Sequence, residues 1–292
     1  MFRNTYAKLQ LKVHYLAMKL SLVLSAKGFK SKIKLSIWFV LDSLPRFIVQ
    51  RSRCIIQKIL TDIKESLTKN VIIKVNYGVF QCIDSASVLV VSPLYERSVV
   101  ELLTNKLHNN INDVFIDVGA HIGKYTILAA KIAQEGLIIA LEPHPANYKL
   151  LLKNIRLNEL QNVITLNVAA WNKDCIMKLF VGKNSETHSL ARKAHENVTE
   201  KYFYVKAFKL DNVVKKLGLR RIDWVKIDVE GGEIEVLEGM SDILRKYKPR
   251  LIVEVFKYNY RRFAELLKSC HYKFTPIIEY ENHGYYYVEP AK

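Results

Sequence analysis

The sequence predicts an α/β fold: a mostly parallel sheet with helices on both faces, preceded by an N-terminal helical extension. Three observations carry that expectation. From Val114 onward, short apolar runs alternate with stretches of helical periodicity. The runs themselves, such as "LIIALE" and "RLIVEVF", are continuously apolar, which suits strands covered on both faces. The first 70 residues instead repeat apolar side chains every three or four positions, with lysines between them.

The elements follow in order. In "YAKLQLKVHYLAMKLSLVLSAKG", Leu9, Val13, Leu16 and Leu20 share one side of a helix, and two or three amphipathic helices, broken near Gly28 and at Pro45, account for residues 1–70. The pattern turns to β at "VIIKVNYGVFQCIDSASVLVV", where β-branched and aromatic runs surround turn residues at Asn76–Gly78 and Asp84–Ser85; a hairpin lead-in is predicted over 71–93. A helix over "YERSVVELLTNKL" ends in the polar loop "HNNIND". Then come the strand "VFIDV", a helix "GKYTILAAKIAQ" closed by Gly136, the strand "LIIALE", a helix "PANYKLLLKNIRLN" and the strand "NVITLNVAA". An insertion over 171–214 interrupts the alternation: "CIMKLFVG" and "KYFYVKAFKL" read as antiparallel strands around a polar loop from Lys183 to Glu200. The alternation resumes with "WVKID", a helix starting near Gly232, and "RLIVEVF"; in that helix Ile234, Leu237, Ile243 and Leu244 form the buried stripe, with Val236 and Met240 beside it. After the helix "YNYRRFAELLKSC", the runs "YKFTPII" and "YYYVEP" read as a final antiparallel pair at the sheet edge. The domains expected are therefore 1–70 and 71–292.

Composition narrows the class. With half of its 292 residues apolar, the chain can bury the core of one large domain with an appendage, or of two domains. Cys54, Cys82, Cys175 and Cys270 are widely spaced and include no C-x-x-C pair, which argues against a zinc knuckle or a disulfide framework and favours a reducing cytoplasm. Lysines at 8, 12, 19 and 27 interrupt the N-terminal apolar runs, so neither a secretory signal nor a bilayer-spanning stretch of about 20 apolar residues is expected. Charge is uneven: residues 1–70 carry 14 Lys or Arg against Asp42, Asp62 and Glu65, a net +11 of the total +17. The extension is expected either to lie on an anionic membrane interface, at the cytoplasmic face, or to pack as a helical cap on the main domain, with nucleic acid as a third reading.

In an open parallel sheet, ligands bind beyond the carboxyl ends of the strands. The first such strand ends in "DVGAHIG", placing Asp117, Gly119 and Gly123 at a helix entry, where glycines let backbone approach a ligand and unpaired N–H groups are available. The G-x-x-x-G spacing differs from both the dinucleotide and the P-loop patterns. Glu142, 25 residues after Asp117, ends the second strand, where a carboxylate can accept from both hydroxyls of a ribose. A nucleoside-containing cofactor follows. In "WVKIDVEGGEIEVLEG", five acids gather in a strongly basic chain. Asp228 and Glu230 sit at a strand tip, with Gly231–Gly232 leaving room for a ligand; Glu233 falls in the first helical turn, and Glu235 and Glu238 on the wet side of the helix.

The ordered set "VFIDVGAHIGKYT", "LEPHPANYKLLLKNIRLN", "NVAAWN" and "DWVKIDVEGGEIEVLEGM" resembles the FkbM family of S-adenosylmethionine-dependent methyltransferases over about residues 93–256. The resemblance implies a class I (Rossmann-like) methyltransferase fold with a seven-stranded sheet, and O-methylation of a hydroxyl on a sugar or natural product. It implies that Asp117, Gly119 and Gly123 line the methionine end of S-adenosyl-L-methionine, that Glu142 holds the ribose, and that Asn167 and Ala169 border the adenine. His121 stands where the family often has Asn and is a hydrogen-bonding loop residue; Glu96, in "SPLYERSVV", is a candidate for the cofactor's amino group. Asp228 and Glu230 are the candidate bases, because a hydroxyl is a poor nucleophile near neutral pH. A divalent metal held by Asp228 and Glu254 is the alternative way to activate it. The function expected is S-adenosylmethionine-dependent O-methylation of a glycan, lipid-linked sugar or related metabolite. An RNA methyltransferase is the alternative, and a non-catalytic membrane-associated protein of the same fold is a third.

Overall fold

In the computed structural model, which describes residues 2–43, 54–107, 110–182, 185, 187–190 and 198–291, the N-terminal helices form as their periodicity predicts. They are α1 (Phe2–Ser25), α2 (Phe29–Asp42) and α3 (Cys54–Thr68), with the break at Gly28 as expected and Pro45 outside the described residues. On α1 the side that packs is not the one that carries Val13, Leu16 and Leu20. Met18, Lys19 and Leu22 are buried, whereas Val13, Leu16 and Leu20 are exposed. The Lys19 ammonium is held by Asp42, stacked over Tyr15 and Trp38, and joined at Asp42 by Lys64. Burial would raise the Asp42 carboxyl, but the two ammoniums outweigh it and hold it below its ordinary range.

The hairpin β1 (Val71–Val75) and β2 (Gly78–Cys82) turns at Asn76–Tyr77 with register Val71↔Cys82. Its second predicted half is not a strand. Residues Ser85–Val90 form helix α4, because Asp84 caps it: Ser87 N donates to Asp84 Oδ1 at 2.7 Å while Asp84 N donates to Ser87 Oγ at 3.1 Å. The hairpin is stitched to α1 and α2 through Lys27 N to Ile72 O (2.7 Å) and the Ala26–Ile73 bridge. The chain accordingly divides into two compact units at residue 97, not at 70, and the hairpin belongs to the first.

The second unit begins in α5 (Arg97–Leu107) and continues through β3 (Val114–Val118), α6 (Lys124–Ile132), β4 (Leu137–Leu141), α7 (Pro145–Leu157) and β5 (Val163–Leu166). The predicted insertion is a small sheet in the order β6-β8-β7, built from β6 (Ala169–Ala170), β7 (Cys175–Gly182) and β8 (Val198–Phe208). Next come α8 (Leu210–Lys216), β9 (Trp224–Ile227), α9 (Glu233–Glu238), α10 (Ser241–Lys246), β10 (Arg250–Phe256), α11 (Tyr260–Ser269), β11 (Tyr272–Glu279) and β12 (His283–Pro290). The main sheet has seven strands in the order β11-β12-β10-β9-β3-β4-β5; β10, β9, β3, β4 and β5 are parallel and β12 runs antiparallel to β10 and β11. Strand order reverses at β3, so the crevice beside its carboxyl end is where a ligand site is expected.

The single helix predicted after Gly232 is two. A Cβ on Gly239 would lie 2.0 Å from the carbonyl oxygen of Trp171, so the chain must turn there. Asp211 restarts it, its carboxylate accepting from Asp242 N (3.1 Å) and Ile243 N (2.9 Å) at the head of α10. The predicted stripe of Ile234, Leu237, Ile243 and Leu244 is buried in the main core all the same.

Candidate functional site

The tips of β3, β4, β9 and β10 bring most of the predicted residues into one region. Gly119 has φ +81°, and a Cβ there would lie 1.8 Å from the carbonyl oxygen of Asp228. The turn after β3 therefore presses directly on the tip of β9, and only glycine fits. Gly123 has φ +94°, with Leu151 Cδ1 2.7 Å from where its Cβ would stand. The space freed by both glycines at the Cβ position is taken by protein, which is a packing reason for glycine at each. Gly232 is similar: the Trp171 ring lies 2.6 Å from its would-be Cβ.

One half of the site is built on Glu142. Its Oε2 accepts from His121 N and its Oε1 from His144 N, both at 2.8 Å, while Asn167 Nδ2 clasps the Glu142 carbonyl at 2.8 Å. His121 holds this geometry with φ +51°, a left-handed conformation that costs a non-glycine residue about 1–3 kcal/mol. Burial pushes the Glu142 carboxyl up to about 7, against the opposing effect of the two backbone donors. Asp117 lies alongside, taking a hydrogen bond from Thr126 Oγ1 on Oδ2 at 2.5 Å. Among the described residues, Asp117 Oδ1 and Asn147 Oδ1 are buried polar atoms with no hydrogen-bond partner. Burying such atoms unpaired costs free energy, so acceptors left open beside a ribose-type carboxylate fit a polar cofactor carrying hydroxyl and ammonium donors.

The other half is the acid cluster. Asp228, Glu230 and Glu254 each place a carboxylate oxygen within 4.8 Å of the others. Lys226, buried in β9, donates to Asp228 Oδ2 at 2.8 Å and Tyr285 Oη donates to the same oxygen at 3.0 Å. Burial alone would raise Asp228; the Lys226 ammonium outweighs it and keeps the carboxyl ionised below its ordinary range. Burial and then the Asp228 charge push Glu254 well above its ordinary range. His283 Nε2 stands 3.5 Å from Glu254 Oε1. Glu230 has φ +55°, the second strained non-glycine residue in this region. Glu233 is fully buried and sets the helix start, Oε1 accepting from Gly231 N at 2.6 Å and Oε2 from Asn259 Nδ2 at 3.0 Å. Glu238 is exposed and Glu235 half-buried, and both pair with Arg262.

The insertion touches both halves. Ser185 Oγ meets His121 Nε2 at 3.0 Å, Asn147 Nδ2 donates to Ser185 O at 2.8 Å, and Ser189 Oγ donates to Glu230 O at 2.6 Å. His188 stacks on His144 with ring centroids 3.9 Å apart. The cavity of about 670 Å³ lined by Lys106, Arg221, Arg250 and Lys273 lies at the other end of the parallel strands and takes no part in this arrangement.

Asp117, Gly119, His121, Gly123, Glu142 and Asn167 are thus brought together on one side of the crevice, and Asp228, Glu230 and Glu254 on the other. Ala169 is not part of it. It is buried in the small-sheet core with Leu179, Val205 and Ala207. Glu96, with φ +51°, is the last residue but one of the first unit. Lys226 and Tyr285 were missed. A lysine inside the apolar strand "WVKID" needs an acid partner, and Asp228 two positions on shares its face; that signal was readable. Tyr285 reaches the site only through the register Glu254↔Tyr285, which no local pattern announces.

Strand order, the antiparallel β12 and a carboxylate at the tip of β4 define the architecture of a class I methyltransferase. Residues 117–285, more than half of the chain, match the Methyltransferase FkbM domain, and the chain belongs to that family. Among curated proteins, it is 33% identical over 132 residues to the tRNA(Phe) (4-demethylwyosine(37)-C(7)) aminocarboxypropyltransferase of Methanocaldococcus jannaschii, covering 40% of this chain and 53% of that protein. It is 27% identical over 175 residues to Methyltransferase sdnD of Sordaria araneosa, covering 50% of this chain and 67% of that protein. It is 26% identical over 168 residues to the Hexuronic acid methyltransferase AglP of Haloferax volcanii, covering 55% of this chain and 62% of that protein. The aligned regions span about half to two thirds of the length of these relatives.

Proposed function

We propose that the chain is an S-adenosylmethionine-dependent O-methyltransferase acting on a hydroxyl of a glycan, lipid-linked sugar or related metabolite. The observation that carries this reading is the pairing of two sites about one turn: the Glu142 carboxylate held by two backbone N–H groups, and the ionised Asp228 directly behind Gly119. Bound S-adenosylmethionine supplies an electrophilic methyl group on a sulfonium. Glu142 would accept from the ribose hydroxyls, and Asp117 and Asn147 offer their open oxygens to donors of the cofactor. Asn167, clasping the Glu142 carbonyl, positions that strand tip.

Asp228 would align the acceptor by taking a hydrogen bond from its hydroxyl. The O–H bond becomes strongly acidic only as its oxygen is alkylated, so an ionised carboxylate of low pKa suffices to receive the proton at that point. Lys226 and Tyr285 fix the Asp228 carboxylate by donating to its Oδ2. Glu230 is the second candidate base. The three-carboxylate cluster could also seat a divalent ion; the favoured reading uses none, because Lys226 already neutralises Asp228. A sugar acceptor fits the similarity to a hexuronic acid methyltransferase.

A second reading, methylation of RNA, rests on the similarity to a tRNA-modifying enzyme and on the net charge of +17. Incubating the full chain with methyl-tritiated S-adenosylmethionine and separate sugar and RNA acceptors distinguishes the two. The proposal expects label in the sugar fraction, stable to mild alkali as an ether, and lost at least a hundredfold in Asp228→Asn. Alkali-labile label would mean a carboxyl ester, and label confined to RNA would refute the sugar reading.

A further inference from the structure

Helices α1 and α2 of the first unit each have two apolar faces, one buried and one exposed. On α2, Leu35 and Trp38 are buried, while Phe29, Ile33, Ile37 and Val40 are exposed, Phe29 by 79% and Val40 by 61%. Spacings of four, four and three residues set these four side chains in one stripe about 16 Å long, opposite the buried pair. On α1, Met18 and Leu22 are buried, while Val13, Leu16, Leu20 and Leu24 are exposed at spacings of three, four and four, Leu24 by 71%. Single exposed apolar residues are ordinary, but two helical stripes of four are not.

The charge around the stripes has one sign. Residues 1–42 hold eight Lys or Arg against Asp42 alone, and Asp42 is spent on Lys19 and Lys64. Lys30 and Lys32 are exposed on the two flanks of the α2 stripe. No described helix is long and apolar enough to cross a membrane. Apolar stripes bordered by lysines, on helices that do not span, match the physics of an interfacial surface: leucine and phenylalanine side chains enter the acyl boundary while ammoniums meet anionic headgroups. A second copy of this chain would bring lysine against lysine, and a phosphate backbone gives the apolar stripes nothing to bury against.

We propose that the first unit docks the protein on an anionic lipid surface through the exposed stripes Val13–Leu16–Leu20–Leu24 and Phe29–Ile33–Ile37–Val40. The docking is independent of the catalytic reading above. It is tested by flotation of the full chain with phosphatidylcholine vesicles prepared with and without phosphatidylglycerol. The wild-type chain should float with the anionic vesicles, and binding should fall at least tenfold on pure phosphatidylcholine and in high salt. Phe29→Glu with Ile37→Glu, and separately Lys30→Glu with Lys32→Glu, should each lower binding at least tenfold with an unchanged circular dichroism spectrum. Equal flotation with both vesicle types, or none with either, would overturn the proposal without any variant. So would wild-type binding by both double variants, or sedimentation velocity showing that the apolar pair governs self-association instead.

Discussion

At the scale of single residues, the site depends on charges held in buried surroundings. Glu142 and Glu233 are both pushed up to about 7 from an ordinary 4.5 by burial. A carboxyl whose folded pKa is raised binds its proton more tightly when folded, so the stability these two groups contribute is greatest below about pH 4.5 and falls as the pH rises to about 7, by at most about 3 kcal/mol for each group. Thermal melts of the cofactor-free chain should decline across that window, and Glu142→Gln should remove one of the two contributions and shallow the slope. If ribose hydroxyls donate to the ionised carboxylate, cofactor binding should release a proton just below pH 7, seen as a buffer-dependent heat of binding. Lys226→Met leaves Asp228 without its ammonium; stability should fall by about 3 kcal/mol, discounted from the cost of breaking a fully buried pair because Asp228 is one-fifth exposed, as denaturant titration would measure. Asp117, Glu142, Asp228 and Glu230 were legible because each ends a recognisable strand or opens the turn after it. The bonds to Tyr285, Ser185 and Ser189 were not, because they form between segments far apart in the chain.

At the scale of elements, the surprises came from tertiary contacts overriding local pattern. The periodicity after Gly232 runs unbroken through Leu244, yet Trp171 enters at Gly239 and Asp211 caps a second helix. Gly239→Val should therefore cost several kcal/mol by forcing the Trp171 backbone aside, while Asp211→Ala should cost about 1 kcal/mol as a lost cap, both readable by chemical denaturation. The helix at Ser85–Val90 was legible in principle from the D-x-x-S capping signature but was masked by its β-branched composition. Gly119 makes the sharpest case for the turn that joins the two halves of the site. With φ +81° and the Asp228 carbonyl in its path, Gly119→Ala should destabilise the fold by at least about 3 kcal/mol and disrupt both halves together.

At the scale of the whole molecule, composition located the basic excess but not the way the helices use their faces. Leu9, Val13, Leu16 and Leu20 read as the apolar side of a helix, and the structure exposes the last three of them. Periodicity reports that a face is apolar, not which apolar face meets the core. The sheet, in contrast, followed from continuous apolar strands in alternation with helices, and its order puts every predicted carboxylate of the second unit but those of the helix at the carboxyl ends of the strands. In the proposed mechanism this end holds S-adenosylmethionine through Glu142. Isothermal titration of the full chain with S-adenosylmethionine should show one saturable site, weakened at least tenfold by Glu142→Ala and little changed by Asp228→Asn. Absence of binding by the folded protein, or binding untouched by Glu142→Ala, would contradict it.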